Sequence, residues 1–522
     1  MVTELKSPIK VEATVPNYAN NIEKGARSPY LSLQSENISR DFELPQGMIQ
    51  AGRIAVVSNR LPIVLSTNGN GEIQVKPSSG GLITALAPLL GKRYGLWIGW
   101  PGDCDELPLD GQLVAAGERL GCVFEPVLLS KDEIRHYYLG FSNEVLWPLF
   151  HGLLPRCKFK PAYWDSYQAV NRKFAQAIAE NSSHHDYICV HDYHLSLVAR
   201  ELRRIGLVKP VGFFLHTPFP SVDILDKLPW SIHILKALLQ YDLIGFQTVR
   251  DRNNFIQCAE TLVKGLRTNS GGQVSIVASR EHQTRVGVFP VSIDFDEFAR
   301  TAAQKSVVDM VEQLRQANEG QQIILGVDRL DYSKGIPLRL QSFQSALERF
   351  EDLRRKATLI QIVVPSREDI PDYQKLKAEI EGLVSHINGK FAEPGWIPIQ
   401  YIFRNLERTE LLAYYRSASI ALITPLKDGM NLVAKEYCAT NLEENGVLIL
   451  SKFAGAASQL RRGALQVNPY DIEGIANTIK RAFLMGTDER KLRMRKMRKL
   501  IKQRDISWWA NLFLQRAGWL IE

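Results

Sequence analysis

The residues Thr424-Pro-Leu-Lys-Asp-Gly-Met-Asn-Leu-Val-Ala-Lys-Glu436 place two carboxylates, Asp428 and Glu436, on either side of a glycine turn. The apolar run Ile420–Thr424 reads as a buried strand, Asp428-Gly429 as a turn, and Asn431 onward as a helix carrying Glu436 along its first turns. A strand that opens through a glycine turn into a helix presents unpaired backbone N–H groups and a positive dipole end, which together make an anion site. Carboxylates on both sides of that anion would grip hydroxyl groups. Sugar hydroxyls, pyrophosphate and ribose hydroxyls in that order are the layout of a sugar-nucleotide. An ordinary βα loop with a polar turn and a surface glutamate has the same spelling.

Other segments repeat the theme of reactive side chains at strand ends. In Gly326-Val-Asp-Arg-Leu-Asp-Tyr-Ser-Lys-Gly335, Arg329 and Lys334 lie just past a strand. Two cations converging on a pyrophosphate would neutralise a departing diphosphate without a metal; an ion pair with Asp328 or Asp331 is the competing reading. His216 ends the apolar run Gly212–His216 ahead of Thr217-Pro-Phe-Pro220, where it would bond a sugar hydroxyl or rest as a satisfied core histidine. Asp192, in Val190-His-Asp-Tyr-His-Leu195, is expected to accept hydrogen bonds from a hydroxylated substrate. His191 and His194 have the spacing of a metal pair but lack a third ligand, so no metal site is expected. Arg60, in Val57-Ser-Asn-Arg-Leu-Pro62, would clamp an anionic acceptor, and the glycine pair Gly80-Gly81 opens a helical pattern close to where a phosphate could approach. That pair is not a GxGxxG motif, so no nicotinamide cofactor is implied. Arg367 closes another strand end, and the triplets Asp103-Cys-Asp105 and Asp294-Phe-Asp296 read as surface acids.

Positioning these groups takes a series of strands alternating with helices. Strand-like runs lie at 53–58, 96–98, 187–190, 211–215, 243–246 and 286–289, then at 322–327, 358–364, 399–403, 420–424, 447–450 and 465–467, with helical patterns such as 195–205 and 338–350 between them. The alternation predicts two parallel, doubly wound sheets whose ligands bind beyond the carboxyl ends of the strands. The chain has 522 residues, 45% of them hydrophobic, so two such domains can each bury a core. No run approaches the roughly 20 apolar residues of a membrane helix, and the start of the chain has no apolar secretory core. The six cysteines are scattered and read as reduced thiols of a cytoplasmic protein. A net charge of +8 suits an anionic partner, phosphorylated small molecules as well as nucleic acid. The basic segment 490–504 carries Met494, Met497 and Ile501 at helical spacing, so it reads as an amphipathic helix and not as a nucleic-acid surface. Residues 1–52 lack periodicity and read as disordered.

Taken together and in this order, the motifs Ser58-Asn-Arg60, Gly80-Gly81-Leu82, Gly95 to Trp100, Tyr138 with Asn143 to Pro148, His191 to His194, His216 to Pro220, Arg329 to Gly335 and Asp428 to Glu436 resemble one family over about residues 53 to 515. It is the trehalose-6-phosphate synthase family, glycosyltransferase family 20. The resemblance implies an α/β fold in the GT-B arrangement, with two Rossmann-like doubly wound domains and the active site in the cleft between them. Residues 53–295 would form the acceptor-binding domain, 296–500 the nucleotide-sugar-binding domain, and 501–522 a terminal helix packed back on the first domain. The implied reaction moves glucose from UDP-glucose to glucose 6-phosphate with retention, without metal or cofactor. By position, Arg60, Trp97, Tyr138, Trp147, Asp192 and Arg367 correspond to acceptor contacts. Gly81, Arg329, Lys334, Asp428, Gly429, Met430, Asn431, Leu432, Val433 and Glu436 correspond to donor contacts, with His216 beside the donor glucose. Arg329, Lys334, His216 and Asp192 are the expected catalytic set. Transfer to glycerol 3-phosphate, or a non-catalytic regulatory role in a synthase complex, are the alternatives; the intact Arg329, Lys334, Asp428 and Glu436 speak against the second. Homo-oligomerisation stays open. No Asp-x-Asp-Gly-Thr phosphatase signature follows, so a separate phosphatase is expected to act on the product.

Overall fold

The computed structural model describes residues 53–67, 73–77, 95–102, 110–183, 186–269, 271–272, 274–280, 282–367 and 370–519. The N-terminal segment 1–52, the glycine pair with Gly81, and the Asp103–Asp105 triplet lie outside the described residues.

The strands of the first half are β1 (Ile54–Arg60), β2 (Ile63–Thr67), β3 (Ile73–Pro77), β4 (Gly95–Trp100), β5 (Cys122–Pro126), β6 (Tyr187–His191), β7 (Val211–Phe214), β8 (Leu243–Phe246), β9 (Arg267–Asn269), β10 (Val274–Ala278) and β11 (Gln283–Val288). Except for the β2–β3 hairpin, they make a 9-stranded sheet in the order β5-β4-β1-β6-β7-β8-β11-β10-β9. It is parallel apart from the antiparallel edge made by β10 and β9. The second half contributes β12 (Gln322–Arg329), β13 (Ala357–Val364), β14 (Ile399–Phe403), β15 (Ile420–Ile423), β16 (Val447–Ser451) and β17 (Leu465–Val467). These form a 6-stranded, all-parallel sheet in the order β14-β13-β12-β15-β16-β17. Helices cover both faces, so most central strands are buried throughout and read as continuous apolar runs rather than alternating ones.

Among the described parallel strands the order reverses between β1 and β6 in the first sheet and between β12 and β15 in the second. Chain connections leave such a point in opposite directions and open a crevice beyond the strand ends. Arg60 ends β1, Asp192 follows β6, Arg329 ends β12 and Thr424 follows β15. Four of the motifs singled out in the sequence therefore sit at the two switch points.

Some expectations need adjusting. The helix read over 195–205 is a short turn at Tyr193–Leu195 followed by a helix at Val198–Arg204. The expected boundary at 295/296 falls inside the helix Phe295–Ala302, and that at 500/501 inside the helix Thr487–Gln503. The chain crosses between sheets at Phe289–Ile293 and again near Asp505. In the basic helix Thr487–Gln503, Met494, Met497 and Ile501 are buried. Arg490 and Arg498 turn inward onto backbone carbonyls of Ala482, Met485, Cys438 and Ala439. The last helix, Ile506–Arg516, packs beneath β7 and β8, where Gly212 and Gly245 leave room for Phe513. Asp294 caps the helix Phe295–Ala302 and Asp296 pairs with Lys502, so this triplet is structural.

Candidate active site

The donor-side expectations converge on the β15 loop. Asn431 adopts φ 73° and its side chain accepts the Ala434 N–H at 3.1 Å, capping the helix Leu432–Thr440. The cap satisfies Ala434 and leaves the N–H groups of Leu432 and Val433 at the helix start without an acceptor among the described residues. Asp428 accepts from Lys334 Nζ at 2.6 Å and from Asn431 Nδ2 at 3.2 Å. Lys334 thus pairs with neither Asp328 nor Asp331 but with the carboxylate of the opposite loop. Burial pushes the Asp428 carboxyl up, but Lys334, with His151 and Asn431 adding to it, holds the group below the usual range. Arg329 is exposed at the end of β12. Glu436 accepts from the Tyr415 hydroxyl at 2.9 Å, and burial raises its carboxyl despite that bond.

A buried network that the sequence did not reveal supports this loop from below. Arg339, with no exposed surface, pairs with Asp328 and donates to Thr424 Oγ1 at 3.0 Å and Gln361 Oε1 at 3.1 Å. One guanidinium therefore ties β12, β13 and the start of the β15 loop together. Asp331, further along, caps the Tyr332–Lys334 turn by accepting the Ser333 N–H at 2.8 Å.

On the other side, Arg60 lies over the Trp100 ring at 4.0 Å and near Tyr138 at 5.5 Å. Arg367, reaching across from the end of β13, stands 4.8 Å above Trp147 and donates to the Tyr373 hydroxyl at 2.6 Å. Burial raises the Tyr138 phenol, but Arg367, Arg60 and Arg329 together overcome this and hold it below its usual range. Three guanidinium groups around one phenol make this region strongly positive, a setting that suits an anion. The buried Trp147 indole N–H has no partner among the described residues, which leaves a donor for a ligand. Trp97 is a correction. Successive residues of β4 face opposite sides, so Leu96, Ile98 and Trp100 share one core and Trp97 lies in the other, fully buried with its indole N–H on Ser58 Oγ at 2.8 Å. Trp100, on the pocket face, is the tryptophan beneath Arg60.

Asp192 (φ 72°) accepts from the His216 N–H at 3.3 Å and Thr217 Oγ1 at 3.4 Å. Burial pushes its carboxyl up to about 6. Arg367 (φ 53°) and Asn431 also occupy the left-handed region, so three candidate residues carry backbone strain of the kind that functional sites hold. His191 is fully buried and bonds His216, while His194 stacks on Tyr193, so the two do not converge as metal ligands. His151 was missed. Its ring packs against Trp147 at 4.2 Å with the planes tilted by 41°, and its Nδ1 bonds the Trp147 carbonyl at 2.7 Å. Burial pushes it down to about 4, in the fields of Asp331, Asp428 and Lys334. Only a helical i, i+4 spacing from Trp147 could have signalled it.

The halves meet closely. Gly429 lies against the His216 carbonyl, where a Cβ would stand 1.9 Å from the oxygen, and Lys427 Nζ donates to the Phe150 carbonyl at 2.9 Å. Lys435 Nζ, buried in the helix Leu432–Thr440, donates to the Val291 carbonyl of the crossing segment at 2.6 Å. Two nucleotide-type sheets facing each other across a cleft of this kind define the GT-B class of sugar transferases. Sequence similarity narrows the class: the glycosyltransferase family 20 profile matches residues 52–518, and the chain belongs to that family. A trehalose-6-phosphate synthase of Mycobacterium avium is 40% identical over 88% of this chain and 94% of its own. An alpha,alpha-trehalose-phosphate synthase [UDP-forming] of Dictyostelium discoideum is 39% identical over 90% of this chain and 63% of its own. Among solved structures, a UDP-forming alpha,alpha-trehalose-phosphate synthase of Burkholderia xenovorans in complex with glucose-6-phosphate superposes with a TM-score of 0.80 at 34% identity, covering 89% of this chain and all 100% of the other. A structure from E. coli bound with UDP-2-fluoro glucose gives the same TM-score of 0.80 at 34% identity over 90% of this chain and 100% of the other.

Proposed function

We propose that this protein transfers glucose from UDP-glucose to glucose 6-phosphate, releasing UDP and forming α,α-trehalose 6-phosphate with retained configuration. The observation that carries the reading is the cation–aromatic cage of Arg60, Tyr138, Trp147 and Arg367 standing across the cleft from the Lys334–Asp428 pair. The cage suits a sugar phosphate, and the pair suits a sugar diphosphate. The half built on the first sheet supplies the acceptor side apart from Arg367, and the half built on the second sheet holds the donor apart from His216. The Leu432 and Val433 N–H groups, Arg329 and Lys334 receive the diphosphate, Asp428 and His216 the glucose, and Glu436 the ribose. Lys334 keeps two N–H donors after serving Asp428, so it can hold carboxylate and phosphate at once. Charge grows on the leaving diphosphate as the glycosidic bond breaks, and Arg329 with Lys334 stabilises it there. The leaving phosphate takes the proton of the incoming hydroxyl on the same face, so the chain's task is alignment and charge stabilisation. The reading also places the protein in the cytoplasm, where both substrates are made.

The test is incubation with UDP-glucose, and in parallel GDP-glucose, against a panel of phosphorylated acceptors, with products identified by mass. A disaccharide phosphate formed with glucose 6-phosphate is the expected result. UDP release with glycerol 3-phosphate alone would overturn the acceptor assignment.

A further inference from the structure

The sugar-facing histidine does not stand alone. Cys189 and His191 lie two residues apart on β6 and so point to the same face of the sheet. His216 follows the neighbouring strand β7, whose Phe214 is in register with His191. The three side chains form a line. Cys189 Sγ is 3.3 Å from His191 Nε2, and His191 Nδ1 is 3.1 Å from His216 Nε2. Both nitrogens of His191 are therefore engaged, while among the described residues Nδ1 of His216 has no protein partner.

The direction of the hydrogen bonds along this line decides what His216 offers a substrate. His191 is fully buried and neutral, so one of its nitrogens donates and the other accepts. In one arrangement the thiol donates to His191 Nε2, His191 Nδ1–H donates to His216 Nε2, and His216 carries its proton on Nδ1. In the reverse arrangement His216 donates from Nε2, His191 donates to sulfur, and the buried S–H is left with no acceptor among the described residues. Buried donors are rarely left orphaned; the first arrangement pairs the thiol and the His191 N–H, and its one unpaired donor is the His216 Nδ1–H, which is not among the fully buried atoms. The geometry points to His191 as a positioning residue that, with Cys189 behind it, fixes His216 as an Nδ1–H donor to a hydroxyl oxygen of the bound sugar.

The sugar's identity rests on the function proposed above, but the tautomer does not. ¹⁵N–¹H correlation spectra of histidine-labelled protein without substrate report which ring nitrogen of His216 holds the proton. The expected result is Nδ1–H in the wild type and in His191→Asn, whose amide N–H₂ replaces the donating nitrogen. A mixture of tautomers is expected in His191→Leu and in Cys189→Ala, the second being a small change that should not compromise folding. In kinetics, losing one oriented donor should lower kcat/KM about five- to tenfold, with His191→Asn restoring it to within about threefold of wild type. A proton found on His216 Nε2 in the wild type, or an unchanged His216 tautomer in both His191→Leu and Cys189→Ala, would overturn the inference. Failure of the wild type to use UDP-glucose would instead overturn the proposed function and leave the tautomer result standing.

Discussion

Gly429 has no room for a side chain, and the consequence can be worked through. An added Cβ would stand 1.9 Å from the His216 carbonyl oxygen, 2.9 Å from its carbon and 3.1 Å from Thr217 Cα. These are backbone atoms, so no flexible side chain can swing aside. The loop cannot retreat either. A Cβ on Gly455 would itself lie 1.9 Å from the Gly429 carbonyl oxygen, and the Ala456 N–H donates to Met430 O at 2.7 Å behind it. Restoring ordinary contact near 3.4 Å moves the loop by about 1.5 Å. Asp428 and Asn431 flank the glycine and would travel with it. Misplacing positioning groups by about 1 Å costs on the order of 100-fold, or roughly 2.7 kcal/mol of transition-state stabilisation. Gly429→Ala should therefore lower kcat/KM for the donor about 100-fold, measured by coupled UDP release. Overpacking should cost the fold only about 1–3 kcal/mol in chemical denaturation. Gly382→Ala, where an added Cβ meets nothing within 4 Å, is the control and should behave as wild type. A Gly429→Ala enzyme within about threefold of wild type would refute the reasoning.

Arg329→Ala should lower kcat about 100-fold while leaving the acceptor KM within about threefold; steady-state kinetics in which only that KM rises would contradict the charge-stabilising role. Asp192 ionises only above about pH 6, so kcat/KM should fall below that pH, and the pH–rate profile of Asp192→Asn should lose this acid limb. Arg339→Met strands the buried Asp328 and should cost about 3–5 kcal/mol in urea denaturation at pH 7. Lys435 is pushed by burial from 10.5 down to about 7. The unfolded chain therefore binds more protons between those values, and wild-type stability should climb with pH across that window. Lys435→Met should be the more stable protein at pH 6 and should lack the climb; parallel denaturation curves at pH 6, 8 and 9.5 would contradict this.

Both sheets were legible because parallel strands covered on two faces spell continuous apolar runs. Strands without that spelling were missed: β5 and β10 show mixed burial, and β9 has only three residues with none fully buried. Candidate site residues stood out in the sequence where a charged side chain closes or follows an apolar run, as at Arg60, Asp192 and Arg329, or flanks a glycine turn, as at Asp428. Spelling could not distinguish Trp97 from Trp100, because the pleat decides which of two tryptophans on one strand meets the pocket. Nor could it show that Lys334 meets a carboxylate 94 residues away, or that Arg339 binds three segments from inside the core. Those are facts of three-dimensional proximity, and local pattern carries no trace of them.

The two crossings of the chain between the sheets lie side by side. The Ile506 N–H donates to Ile293 O at 3.0 Å, and Trp509 Nε1 to Phe289 O at 3.1 Å. A lone tether would let the halves swivel freely, whereas a two-ply strap bends across its width and resists torsion. An opening of the cleft would therefore follow one arc, like a book on its spine, and closing would return Arg367 to Trp147 and Gly429 to the His216 carbonyl.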